Sequence, residues 1–168
     1  MPSSFLEIGL EAGKRWQELN AGERPWIRIG TALCGEAAGA FEIADAVEEA
    51  LENQGVAATV SRVGCLGLCF AEPLLDVQLP GGHRIFYANV DTESVSEIIS
   101  AHVVGGVPVT AKALGYIAQE GSTAPVPDGI PDLNQHPMKA WENRIVLRNA
   151  GNIDPFDIYQ YIANGGYQ

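Results

Sequence analysis

Apolar positions recur along this chain with two periods, and the switches between them mark its elements. Phe5, Ile8, Leu10, Ala12, Trp16 and Leu19 form an approximate helical stripe, capped by Ser3 or Ser4 and ended by Gly22 and Pro25. Trp26-Ile27-Arg28-Ile29-Gly30 then predicts a short strand. From Gly39 to about Gln54, Ala40, Ile43, Ala44, Val47, Ala50 and Leu51 return to helical spacing. Asp45, Glu48, Glu49 and Glu52 take the other face, and Gly55 is the stop. Val56 to Val60 predicts a second strand. Leu75, Val77 and Leu79 alternate with polar neighbours, Pro80-Gly81-Gly82-His83 turns the chain, and Arg84 to Val90 returns as the other arm of a hairpin. Asp91 or Thr92 caps a helix to about Val104, with Val95, Ile98, Ile99, His102 and Val103 on its packing side.

Strand, helix, strand, hairpin, helix is the order of a thioredoxin-like α/β layer, with a parallel first pair and an antiparallel second. The expected fold is a four-stranded mixed sheet with flanking helices, followed by a C-terminal extension. Val107 to Glu120 predicts a short helix around Ala111 to Ala118. Between Gly121 and Pro137 there are four prolines among Gly, Ser, Thr, Asn and Asp, which predicts a linker. A strand-like Arg144-Ile145-Val146-Leu147-Arg148 and a capped helix from Asp154 to Ile162 follow. The division reads as a helix at 1–25, a domain at 26–106, a Pro/Gly-rich linker at 107–138 and a further unit at 139–168. Nothing after Gly121 is expected to share the domain's core.

Composition narrows the function. The chain has 168 residues, 46% of them hydrophobic, enough for one good core. Ten Lys and Arg against 21 Asp and Glu give a net charge of −11, which argues against nucleic acid or an anionic membrane as partner. No apolar run reaches transmembrane length, and the N-terminus lacks a signal-peptide pattern. Three cysteines, an odd number, fit a reducing compartment, so a cytoplasmic location is expected.

The thiols stand in two small-residue loops. One is Gly30-Thr31-Ala32-Leu33-Cys34-Gly35-Glu36-Ala37-Ala38-Gly39; the other is Gly64-Cys65-Leu66-Gly67-Leu68-Cys69-Phe70-Ala71-Glu72-Pro73. Glycines beside thiols let the backbone approach whatever the sulfurs hold. An iron–sulfur cluster needs thiolates converging from such loops, but a [2Fe–2S] cluster normally takes four protein ligands. Zinc would take the three thiolates with His83, His102 or His136, although Cys34 lacks a nearby second ligand. Thiol–disulfide chemistry lacks the usual C-x-x-C spacing. The plain alternative is three cysteines acting as small apolar side chains. Likewise, His102 on an apolar helix face reads as a packing residue, and Gly81-Gly82 as a turn.

The run from Ile29 to Ala40, then Gly64 to Leu74, resembles the thioredoxin-like ferredoxin domain at the front of the NADH-oxidising flavoprotein subunit in complex I-type NADH dehydrogenases, NAD-linked hydrogenases and formate dehydrogenases. The tail from Asn143 to Pro155, then Tyr161 to Tyr167, resembles the start of that subunit's FMN- and NADH-binding domain. The resemblance spans about residues 26 to 168 and implies that 139–168 begins a truncated FMN/NADH-binding domain, the FMN and NAD sites lying in the absent remainder. It implies Cys34, Cys65 and Cys69 as ligands of a [2Fe–2S] cluster that passes single electrons to or from a flavin subunit. Its implied partners are other subunits of an NADH dehydrogenase- or hydrogenase-like complex, with no membrane insertion. Two positions depart from the family: Arg28 or Ile29 stands in place of a first cysteine, and Ala150 replaces a cysteine in the tail. Loss of that first ligand leaves a second expectation, a cluster-free docking domain that positions subunits of the same assembly. A carboxylate such as Glu36 or Glu72 would be the replacement ligand if a cluster is kept. A thiol-based redox sensor is a third class.

Overall fold

A computed structural model of the chain describes residues 4–122 and 124–167. Ser4 caps the first helix: its hydroxyl accepts from the Glu7 N–H, and the Glu7 carboxylate accepts from the Ser4 N–H. Ser3 lies outside the described residues. Helix α1 spans Phe5–Ala21, α2 Leu33–Ala37, α3 Ala40–Gln54, α4 Thr92–Ile98 and α5 Ile158–Ala163. Asp91 caps α4 through the Ser94 N–H, and the helix continues in wider π turns over Ile99–Val104. Gly55 ends α3 at φ +64, a conformation that side chains with a Cβ rarely adopt.

The strands are β1 Trp26–Gly30, β2 Thr59–Val63, β3 Leu75–Gln78, β4 Arg84–Tyr87 and β5 Ala113–Ile117. They form one sheet in the order β2-β1-β3-β4-β5. The β1/β2 pair is parallel and all others are antiparallel. This mixed sheet with flanking helices is the thioredoxin-like α/β arrangement, with one strand more than the expected four. The fifth is the segment expected to be a helix at Ala111–Ala118. Its Tyr116 pairs with Ile85 and its Gly115 with Phe86, so the open edge of β4 claims the segment and overrides its helical spacing. Strand β2 also runs three residues later than the apolar run suggested, because Trp26 pairs with Thr59 and Gly30 with Val63.

One face of the sheet carries Ile27, Ile29, Leu75, Val77, Ile85 and Tyr87, buried against Val47 and Leu51 of α3 and Val95, Ile98 and Ile99 after Asp91. Ile130 belongs to this core. Leu133 belongs to a second, smaller core with Leu66, Leu68, Ala71, Leu74 and Phe86. The 121–137 stretch therefore shares both cores, contrary to expectation. Tyr116 N–H donates to Pro131 O at 2.8 Å, and only a glycine at 115 leaves room, since a Cβ there would stand 2.9 Å from the same oxygen.

The opposite face is buried too, although its residues are polar. Trp26, Arg28, Asp76, Gln78 and Arg84 are nearly inaccessible. Trp16 of α1 meets Trp26 edge to face at 5.8 Å, so α1, which packs on α5, lies against this side. Asp76 accepts from both arginines: from Arg28 Nη1 at 2.6 Å, and from Arg84 Nε and Nη2 at 3.1 and 2.8 Å. Arg28 also donates to Gln78 Oε1 at 2.7 Å, and its guanidinium carbon lies over the Trp26 ring, 3.4 Å from its centre. Burial pulls the Arg28 guanidinium down to about 10, against the opposing pull of Asp76. The expected strand at Arg144–Arg148 does not form: the segment pairs with no strand among the described residues and runs as turns with Ile145, Val146 and Leu147 exposed.

Candidate functional site

Both thiol loops leave the sheet at one end. Gly30 and Val63 are register partners at the ends of the parallel pair β1/β2, and Thr31 N–H donates back to Val63 O at 3.0 Å. Cys34 follows Gly30 into the first turn of α2, and Cys65 follows Val63 into a loop that closes in a 3-10 turn at Cys69–Ala71. Parallel pairing of β1 with β2, as the strand–helix–strand order implied, is what brings these two segments side by side.

A buried glutamate joins the loops. Glu72 is 8% exposed; its Oε2 accepts from the Leu74 N–H at 2.8 Å, while Oε1 has no hydrogen-bond partner. A Cβ on Gly30 or Gly35 would sit 3.1 or 3.3 Å from that carboxylate, and one on Gly35 would collide with Gly30 O at 2.0 Å. Thus Gly35 is demanded by the close approach of the Gly30 carbonyl, and Gly30 by the tight packing of the Glu72 carboxylate against it. Burial holds the Glu72 carboxyl above the usual carboxylate range, partly offset by the Leu74 N–H. Glu36, the other carboxylate considered beside the thiols, is exposed.

Cys65 and Cys69 face each other with sulfurs 3.7 Å apart, Cys65 half-buried and Cys69 exposed. Gly67, at φ +82, turns the loop so that its N–H donates to Cys65 Sγ at 3.1 Å. Burial pushes the Cys65 thiol up; the Gly67 N–H opposes this, and neighbouring Cys69 adds to it. Cys34 is exposed on the adjacent loop. Among the described residues, no three His, Cys, Asp or Glu groups close on a common metal position.

The donors fit a metal in part. Two thiolates on one tetrahedral ion, with bonds of about 2.3 Å, stand roughly 3.75 Å apart. The Cys65–Cys69 separation of 3.7 Å matches this spacing. Neither position expected to carry a further ligand offers one: Arg28 is bound to Asp76 and Gln78, and Ile29 is in the core. The histidines are otherwise engaged. His83 accepts from Gln119 N–H and donates to Ala124 O, His102 is buried against the Tyr87 hydroxyl, and His136 accepts from Met138 N–H.

A strap from the C-terminal segment lies over the thiol loop. Arg144 donates from Nη1 to Cys65 O at 3.3 Å and from Nη2 to Leu66 O, and pairs with Glu142 at 2.7 Å. A Cβ on Gly64 would stand 3.5 Å from Ala150 Cβ, so Ala150 lies against the residue preceding Cys65. Arg84 reaches from the buried face to Gly151 O at 2.9 Å and Asn152 Oδ1 at 2.7 Å. Sequence reasoning missed both the strap and the buried ion cluster. The alternation of Arg28 with Ile27 and Ile29, and of Asp76 with Leu75 and Val77, was the signal available for the ion cluster.

Fold and site together describe a thioredoxin-like α/β protein bearing thiols at the ends of its parallel strands. No protein-family model matches the chain. It is 27% identical over 84 residues, 49% of its own length and 67% of the relative's, to the NADP-reducing hydrogenase subunit HndB of Solidesulfovibrio fructosivorans. Among solved structures it is similar to the wild-type thioredoxin-like [2Fe-2S] ferredoxin from Aquifex aeolicus, with TM-score 0.48 and 22% identity over 56% of this chain and 99% of that one. A second structure of a thioredoxin-like [2Fe-2S] ferredoxin from Aquifex aeolicus gives TM-score 0.49 and 20% identity over 60% and 98%.

Proposed function

We propose that the chain is an electron-transfer module of a multisubunit oxidoreductase, with Cys34, Cys65 and Cys69 as protein ligands of a [2Fe–2S] cluster. The observation that carries this reading is the 3.7 Å Cys65–Cys69 pair, which has the spacing of two thiolates on one tetrahedral iron. Cys34, on the loop paired beside it, is the third ligand. The likeness to a hydrogenase subunit supports an assembly of that kind as the setting, with a flavin-bearing subunit of NADH dehydrogenase type as the electron partner. In this reading 139–168 corresponds to the start of an FMN/NADH-binding domain. Among the described residues no helix is long and apolar enough to cross a membrane.

When bound, the cluster supplies one-electron transfer without proton chemistry at carbon. The chain's residues do the rest. Gly67 N–H stabilises negative charge on Cys65 Sγ, Arg144 fixes the carbonyls of the thiol loop, and Glu72 packs closely against Gly30 and Gly35 on either side of Cys34. The exposed acidic row Glu42, Asp45, Glu49 and Glu52 on α3 suits docking on a basic surface.

Anaerobic reconstitution with ferrous iron and sulfide tests the reading. Iron and acid-labile sulfide should be retained through gel filtration, with visible absorbance that bleaches in air and an EPR signal on reduction. Cys69→Ser should abolish all three. Protein that retains neither iron nor sulfide would instead be the cluster-free docking domain.

A further inference from the structure

We infer that Cys65 and Cys69 form a dithiol–disulfide couple in the metal-free protein, and that the oxidation state of this pair decides whether the site accepts a metal. The two sulfurs are in contact at 3.7 Å, whereas Cys34 makes no such contact with either. Closing to the roughly 2.05 Å of a disulfide asks for less than about 2 Å of sulfur movement, within reach of side-chain rotation in a glycine-centred loop. The loop supplies that freedom through Gly67. The environments of the pair divide the roles: exposed Cys69 meets the oxidant, and half-buried Cys65 resolves.

With a low-molecular-weight disulfide such as glutathione disulfide, the Cys69 thiolate attacks one sulfur. A mixed disulfide forms and one glutathione thiolate leaves. The Cys65 thiolate then attacks Cys69 Sγ, the intramolecular bond forms, and the second glutathione thiolate leaves. The protein dithiol loses two electrons and two protons; the small disulfide is reduced to two thiols. A metal ligand has to be a thiolate, so the closed pair cannot bind iron or zinc. Metal occupancy and disulfide formation therefore exclude one another at these two sulfurs.

This goes beyond the cluster assignment, because it concerns the protein without metal, and the experiment needs none. Chelator-treated, fully reduced full-length protein is equilibrated with glutathione disulfide, quenched by alkylation and mapped by mass spectrometry. The expected product carries one glutathionyl group, on Cys34, while Cys65 and Cys69 escape alkylation and together lack two hydrogens. Cys65→Ser and Cys69→Ser should each leave the remaining loop thiol glutathionylated. Cys34→Ser should close its pair as the wild type does. Glutathionyl groups on all three cysteines of the wild type, or free alkylation of Cys65 and Cys69, would overturn the proposal. The closed pair should take up at least tenfold less zinc than the dithiol; equal uptake would overturn the gating half of it.

Discussion

Asp76→Ala should be among the most damaging substitutions in this chain. The carboxylate is 3% exposed and accepts three N–H bonds from two guanidinium groups that are themselves nearly inaccessible. Removing it leaves two cations facing each other across the sheet, with only Gln78 Oε1, Asn152 Oδ1 and Gly151 O as acceptors. Breaking a buried pair from one side costs about 3–5 kcal/mol, because the stranded charge keeps its desolvation penalty. For a chain of this size each kcal/mol moves Tm by about 2–4 °C, so Tm should drop by roughly 6–20 °C. Asp76→Asn keeps the shape and one acceptor, and should cost about half as much, as a charge-assisted bond is roughly twice a neutral one. Urea unfolding followed by circular dichroism gives both numbers. A loss below about 1 kcal/mol for the alanine variant would show that these arginines do not depend on Asp76.

His102 gives a pH test: burial lowers its imidazole to about 4 from 6.5. The unfolded chain takes up a proton between those values that the folded chain refuses, so stability should hold above 6.5 and decline toward pH 4. The loss is at most about 3 kcal/mol; His102→Phe should flatten the profile, and an unchanged slope would refute the assignment. Leu133→Ala should cost about 2–5 kcal/mol by urea unfolding, as expected for a core residue; a separate linker would make it neutral. Gly35→Ala, whose Cβ would meet Gly30 O at 2.0 Å, should lower stability by about 1–3 kcal/mol, measured by thermal unfolding. Arg144→Ala frees the carbonyls of Cys65 and Leu66, so Cys65 should alkylate several-fold faster; an unchanged rate would mean that the strap does not hold the loop.

Local pattern determined a good deal of this protein. The spacing of Ile43, Val47 and Leu51 and the stop at Gly55 delimit α3, and the Gly81-Gly82 turn places β3 beside β4. Those features act within a few residues of themselves, through backbone conformation and one-sided burial, so they are legible in one dimension. The glycine-flanked thiols were legible in part: Cys65 lies in a loop as expected, whereas Cys34 sits in the first turn of α2. Tertiary structure decided the rest. Ala113–Ile117 became a strand because β4 had an open edge, a fact held by residues almost thirty positions away. Arg28, Asp76 and Arg84 alternate like solvent-facing residues, yet α1 and the segment around Gly151 and Asn152, from opposite ends of the chain, lie against this face and bury them. The thiol pair belongs to both levels. Its four-residue spacing is in the sequence, and the strand–helix–strand order already implied the parallel β1/β2 pair that carries Cys34 to its neighbourhood, but the register of that pair, Trp26 on Thr59, was set only by the fold.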